Sequence, residues 1–532
     1  MKLNFPHLKL VSAISLMVSL TAQAGVLPSH QKDSAWYQDA QINIGKKVQQ
    51  TIRTRAKNVI LFVGDGMGLS TLTASRILQG QKNGDPGEEG YLSFEKFPYT
   101  ALVKTYNVDA QTPDSAGTMT AMASGIKTDA GVLGVDEDVQ RGDCSTVAGN
   151  EVVTALELAE IAGLATGVVS TARITHATPA ATYAKSAERN WEDNSDMVDQ
   201  PLAQGCEDIA SQLVNFESNL ENRFVGVDVN GIDVVMGGGR RHFLPNDTQF
   251  NIEKLPEKGA EGDRSDGRHL INEWKETYPQ GTFVNDQADF DAIDEATTNP
   301  VFALFNESHM NYEADRNNDL AGEPSLSQMT KKSIKILDNN EKGFFLTVES
   351  GRIDHGHHAG NAFNALEDTL ELAKAIDVAM ANTNPDETLI LVTADHSHVF
   401  TIAGYPKRGN PILGKLVKTG EDDPALAKDN MPYTTLGYAN GLGYHDFSEE
   451  TDADEVYGSE VEHITGRVDL TSVNTQAAGF HQEALVPLNS ETHAGEDVSI
   501  HATGPGAHLV QGEMEQSVVF HVIQQALALT VK

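Results

Sequence analysis

Between Glu349 and His358 the chain reads ESGRIDHGHH, with three histidines and two carboxylates in ten residues. Asp354 and His358 are four apart, so on a helix both side chains face one side and can grip a single ion. His355 and His357 cannot share that face, and each reads as an outer hydrogen-bond partner. Asp395, His396 and His398 fall together in TADHSHVF, Asp65 follows the run NVILFVG, and His493 stands in ETHAGED. Imidazole and carboxylate without thiolate suit zinc or a similar divalent ion. Taken singly, each has a plain reading: an Asp after a strand is a turn or helix cap, and a lone His493 is a surface histidine. Three apolar runs that each end in carboxylate or histidine are harder to dismiss. Ser115, in PDSAGT, has two readings. It is a helix N-cap, or a nucleophile at a helix N-terminus, where amides and the dipole favour anions. With no G-x-S-x-G elbow in the chain, metal activation of the hydroxyl is the route to a nucleophile.

These residues need a scaffold that brings distant segments together. Asn58–Val63, Gly167–Ser170, Ile232–Met236, Phe344–Val348 and Thr388–Thr393 are short apolar runs that read as strands. Leu69–Leu78, Glu151–Ile161 and Ala362–Met380 carry helical patterns between them. Continuous apolar strands alternating with helices predict an α/β fold with a largely parallel central sheet and helices on both faces. In such folds ligands bind beyond the carboxyl ends of the strands, where the candidate ligands cluster. Residues 251–269 read as a surface loop, and the Gly-, Pro- and Asn-rich stretch 402–488 as an inserted subdomain. The α/β catalytic domain is then 25–401 together with 489–532.

The amino terminus reads as an export signal, residues 1–24. Lys2 and Lys9 precede an apolar stretch too short to span a bilayer, and Ala22-Gln23-Ala24 fits the small-x-small cleavage rule. The expected location is periplasmic or secreted, without membrane attachment. The 39 Lys plus Arg against 76 Asp plus Glu give a net charge of −37. That excludes a general nucleic-acid binder, which needs a basic footprint, and disfavours anionic membranes. Cys144 and Cys206 are the only cysteines. In an exported chain they read as a disulfide, with two buried thiols as the alternative.

The ordered set DGMG, PDSAGT, HATPA, ERNW, GGGR, ESGRIDHGHH, TADHSHVF and ETHAGED resembles the alkaline phosphatases, more closely the branch containing the animal enzymes. The resemblance covers residues 55 to 525. It implies a phosphomonoesterase working through a phosphoserine intermediate, with Ser115 as the attacking residue and Arg189 as the clamp on two phosphate oxygens. It implies Asp354, His358 and His493 as ligands of one zinc, and Asp65, Asp395 and His396 as ligands of a second. Asp65, Thr178 and Glu349 match a third site, usually magnesium, and His176, His355 and His398 match outer positions. Cys144 and Cys206 match a disulfide of the animal branch. Tyr405 matches a tyrosine that reaches the neighbouring subunit, which implies a homodimer. Stretch 402–488 matches the crown region in position but not in sequence. Relatives' structural calcium site is not carried over: Asn306 stands where they use a carboxylate, although Phe305 aligns and Glu323 could supply a second carboxylate.

Rival readings remain within the enzymes and outside them. A sulfatase of the same superfamily needs a C/S-x-P-x-R setting, whereas Ser115 is followed by Ala-Gly-Thr; a phosphodiesterase would prefer diesters. A non-catalytic store of metal or phosphate would leave Ser115 and Arg189 without a role.

Overall fold

The computed structural model describes residues 27–48, 55–197, 200–252, 259–448, 452–454, 464 and 466–530. The expected export signal and most of the acidic run at 449–462 lie outside them. A ten-stranded sheet forms the centre. Its strands in chain order are β1 (Asn58–Gly64), β2 (Tyr99–Lys104), β3 (Ala165–Arg173), β4 (Val234–Gly238), β5 (Thr282–Val284), β6 (Val301–Leu304), β7 (Phe344–Ser350), β8 (Thr388–Ala394), β9 (Val498–Thr503) and β10 (Gly512–Glu515). Their spatial order is β10-β2-β9-β8-β1-β7-β3-β4-β6-β5. Only β9 runs antiparallel to its neighbours, β2 and β8. Every residue of β1, β7 and β8 is buried. Because alternate side chains face opposite ways, both faces of the central sheet are covered, which is why these strands are continuous apolar runs.

Register then sets the site. Gly64 of β1 pairs with Ala394 of β8, so Asp65 and Asp395 leave adjacent strands at the same level. Val63 pairs with Glu349 of β7, and Glu349 with Ser170 of β3. Because β9 is antiparallel, it starts at the end where the others finish, and that brings in the preceding His493.

Helices Leu69–Lys82 and Leu326–Leu337 both pack on the long helix Ala362–Asn382, and Val518–Leu527 packs on Ser115–Ser124 and Ala35–Val48. Ser115–Ser124 (SAGTMTAMAS) is buried along its whole length. Small side chains permit this: a Cβ on Gly117 would lie 2.7 Å from Asn107 Nδ2. A separate three-stranded sheet joins Phe400–Ile402, Leu436–Gly441 and Ala484–Pro487. Cys144 and Cys206 are disulfide-bonded with Cα atoms 6.0 Å apart.

The expected surface loop at 251–269 is corrected in its second half. Glu261 and Arg264 are buried there. Arg264 forks onto Asp208 at 3.0 and 3.0 Å, and Glu261 pairs with Arg240. Among the described residues, no helix is long and apolar enough to cross a membrane.

Candidate active site

Ser115 is the first residue of its helix, and the cap is Asp114, whose side chain accepts from Gly117 N at 3.1 Å. The N-cap reading of Ser115 therefore falls. The residue is 2% exposed, and its hydroxyl lies 3.1 Å from His396 Nε2 and 3.5 Å from Asp65 Oδ1. His396 Nε2 is also 3.3 Å from both Asp65 Oδ1 and Asp395 Oδ2. Asp395 is held from both sides: Gly66 N and His396 N donate to Oδ1 at 3.0 and 2.8 Å, and Thr118 Oγ1 donates to Oδ2 at 3.3 Å.

A second cluster adjoins the first, with the rings of His396 and His493 stacked at 3.6 Å. Asp354 and His358 lie on the helix Arg352–His358, so the four-residue spacing does put them on one face. His493 reaches them because His493–Ala494 pairs antiparallel with Ser397–His398. Asp354 Oδ1 meets His398 Nε2 at 2.9 Å, His358 Nε2 at 3.3 Å and His493 Nε2 at 3.4 Å.

The tautomers matter here. His358 Nδ1 is 2.5 Å from the Glu491 carbonyl, and His493 Nδ1 is 2.8 Å from the Pro113 carbonyl. A carbonyl only accepts, so both rings donate from Nδ1 and turn Nε2 lone pairs inward. Those two Nε2 atoms stand 3.1 Å apart beside a carboxylate. Two imidazole nitrogens and a carboxylate at that spacing can hold a cation between them. His398 differs, because both its nitrogens face carboxylates: Asp354, and Glu491 Oε2 at 2.6 Å. Burial alone would lower its pKa, but Glu491 and Asp354 push it up to about 10. His398 thus bridges Asp354 to Glu491, and its donor atom also falls within the group formed with Asp354, His396 and His493.

The third group joins Asp65, His176 and Glu349, whose donor atoms lie within 4.8 Å of one another. Asp65 Oδ2, Thr178 Oγ1 and Glu349 Oε1 are buried and find no hydrogen-bond partner of regular geometry. Ser170 Oγ holds the other Glu349 oxygen. Burial first, with Asp395 the main like charge, pushes Glu349 up to about 7, against the Ser170 hydroxyl. Burial and then Asp395, Asp354 and Glu349 raise Asp65 well above the carboxylate range. Orphaned oxygens among crowded carboxylates fit a hard cation.

Arg189 lies at the rim, its side chain 17% exposed. Nη1 donates to Asp114 Oδ2 at 3.0 Å and Nη2 to His176 Nε2 at 3.1 Å. Burial and then Arg189 and Arg173 hold His176 down at about 3, so it is neutral with its proton on Nδ1. His355 packs with His176 at 5.6 Å and His309 at 4.1 Å between ring centroids. His357 is corrected: it lies 2.9 Å from Thr71 Oγ1 and 2.8 Å from Tyr438 OH, so it serves the core rather than a ligand. Glu323 belongs to no group of three His, Cys, Asp or Glu donors among the described residues.

Sequence reasoning missed Asp114, Glu491 and Ser170. Asp114 carried a signal, an Asp before a run of small helix residues. Glu491 stands two residues from His493. Ser170 is recognisable only from the β3–β7 register.

Comparison with known proteins bears on the family. A family model described as alkaline phosphatase matches residues 56–529. The tissue-nonspecific isozyme of alkaline phosphatase from Gallus gallus is 42% identical over 524 residues, covering 97% of this chain and 94% of that protein. The Homo sapiens isozyme is 42% identical over 511 residues, covering 95% and 90%. An alkaline phosphatase from Gadus morhua is 39% identical over 510 residues, covering 95% and 99%. Among solved structures, Thermus thermophilus alkaline phosphatase matches with a TM-score of 0.60 at 22% identity, over 90% of this chain and 93% of that one, a likeness of fold.

Proposed function

The chain belongs to the alkaline phosphatase family, and from that premise we propose that the strand-end site hydrolyses phosphate monoesters through Ser115. The observation that carries the reading is the buried Ser115 hydroxyl between His396 and Asp65, at a helix N-terminus, with the Arg189 fork at the rim. Asp354, His358 and His493 would hold one cation, and Asp65, Asp395 and His396 a second, beside the serine. Their imidazole-carboxylate sets suit zinc. Asp65, Thr178 and Glu349 offer oxygen alone, which suits magnesium. When bound, these cations neutralise the carboxylates, favour the Ser115 alkoxide and stabilise charge on the transferring group.

The protein's own part is positioning. Ser115 Oγ forms a bond to phosphorus as the ester P–O bond breaks, and the alcohol leaves with the serine proton. Water then adds to the phosphoserine, restoring the Ser115 hydroxyl and releasing inorganic phosphate. Arg189 presents two donors to the non-bridging oxygens, and Asp114 aims that fork while capping the serine's helix. The helix N-terminus adds amide dipoles where negative charge gathers.

The chain is further read as exported, to the periplasm or beyond, and as a homodimer. Tyr405 supports the dimer: it is 93% exposed and adopts φ +60°, a strained conformation for a non-glycine residue on a surface that gives it no packing. Gel filtration with light scattering checks the dimer.

The direct test is p-nitrophenyl phosphate hydrolysis between pH 7 and 10, after chelation and again after zinc and magnesium are restored. Loss and recovery of turnover support the reading. Full turnover with the metals shown to be absent overturns it.

A further inference from the structure

Glu192 lies three residues beyond Arg189 and is buried, with no part in the three cation groups. Arg173 Nε and Nη2 donate to its two oxygens at 2.8 and 2.6 Å, and Thr175 Oγ1 donates at 2.6 Å. His242 Nε2 stands 3.1 Å from the same carboxylate, and its Nδ1 is 2.6 Å from Asp193 Oδ2. Burial alone would raise Glu192, but His242 and Arg173 hold it well below the carboxylate range. Burial would likewise lower His242, but Glu192 and Asp193 lift it to about 9. The four groups are therefore two cations and two anions, and the set is neutral.

What matters is which segments they join. Arg173 ends β3, and Thr175 lies in the turn that leads to His176 and Thr178. Glu192 belongs to the loop that delivers Arg189. That loop is also tied through its backbone: Ile209 N donates to Trp191 O at 2.9 Å and Ala210 N to Glu192 O at 3.0 Å. The Arg189 guanidinium meets Asp114 at one nitrogen and His176 at another. Asp114 fixes it against the Ser115 helix, and the Glu192 cluster fixes its loop against the segment that leads into the His176 turn.

We propose that Glu192, with His242 as its counter-ion, is a positioning residue for Arg189. It locks the arginine loop to the His176–Thr178 turn, so the fork is set before phosphate arrives. Truncating a partner in such a network leaves the other charges buried and unpaired, so its effect reaches Arg189 through the loop. The inference rests on Arg189 being the phosphate clamp.

The test is a double-mutant cycle on the metal-loaded enzyme, with p-nitrophenyl phosphate as substrate and inorganic phosphate as inhibitor. Glu192→Gln should raise KM and the phosphate inhibition constant about tenfold, with kcat changed less and zinc content unchanged. In an Arg189→Ala background, Glu192→Gln should add less than about twofold. His242→Gln keeps a donor but removes the charge, and should show the same non-additivity at smaller size. It carries the test if Glu192→Gln does not fold. Effects that multiply in full across the cycle would make the cluster merely structural and overturn the proposal. A wild-type chain that hydrolyses the ester while the cycle is additive loses this inference alone. One that neither turns over the ester nor responds to phosphate overturns the function it rests on as well.

Discussion

Around Arg240 and Arg264, buried charge meets its opposite. Arg240 pairs with Glu261, and Arg264 forks onto Asp208. At the strand ends, Asp65, Glu349, Asp354 and Asp395 are buried just as completely, yet oxygens stay orphaned and imidazole lone pairs face each other. One region is complete in itself and the other is built for cations from solution. Both bury ionisable groups, so burial does not separate them. Satisfaction does: ion pairs closed by the chain's own residues mark structure, and unsatisfied ligands of one sign mark a site for something else.

Four changes should sharpen or break that contrast. Ser115→Ala should lower turnover on the order of 10³-fold or more while zinc and magnesium still bind, as steady-state rates and elemental analysis would record. Arg240→Ala should do the reverse, destabilising the fold by about 3–5 kcal/mol and leaving kcat of the folded fraction near wild type. Denaturant melts alongside active-site titration separate the two. Arg189→Ala should cost about 10²-fold in kcat/KM, because one pre-aimed donor pair is lost.

The smallest effect is on pH dependence. Glu349 has its folded pKa raised to about 7 from an ordinary 4.5. Between those values the metal-free native state holds the extra proton, so its stability should fall as pH rises through that window. Glu349→Gln should flatten the slope of Tm against pH in chelator, and added cations should cancel it. An unchanged slope in the variant would assign the effect to other groups.

The core of the site was legible because its residues end apolar strands. NVILFVG, FFLTVES and TLILVTA are buried on both faces and end in Asp65, Glu349 and Asp395. The Asp354–His358 pair was legible because a helix repeats every three to four residues. Strands such as Tyr99–Lys104, with exposed residues alternating, and Thr282–Val284, only three residues long, gave no comparable signal. Glu261 and Arg264 read as loop surface because their sequence is polar, and no local pattern announces a partner such as Asp208, 56 residues from Arg264. Glu192 escaped for the same reason, since Arg173 and His242 reach it from other elements.

The most direct measurement is where phosphorus goes. Metal-loaded enzyme mixed with a phosphate monoester, quenched in acid within one turnover and digested, should carry a single phosphoryl group on the peptide containing Ser115. Phosphate on another residue, or turnover at full rate with no phosphorylated enzyme and with Ser115→Ala equally active, would contradict the account.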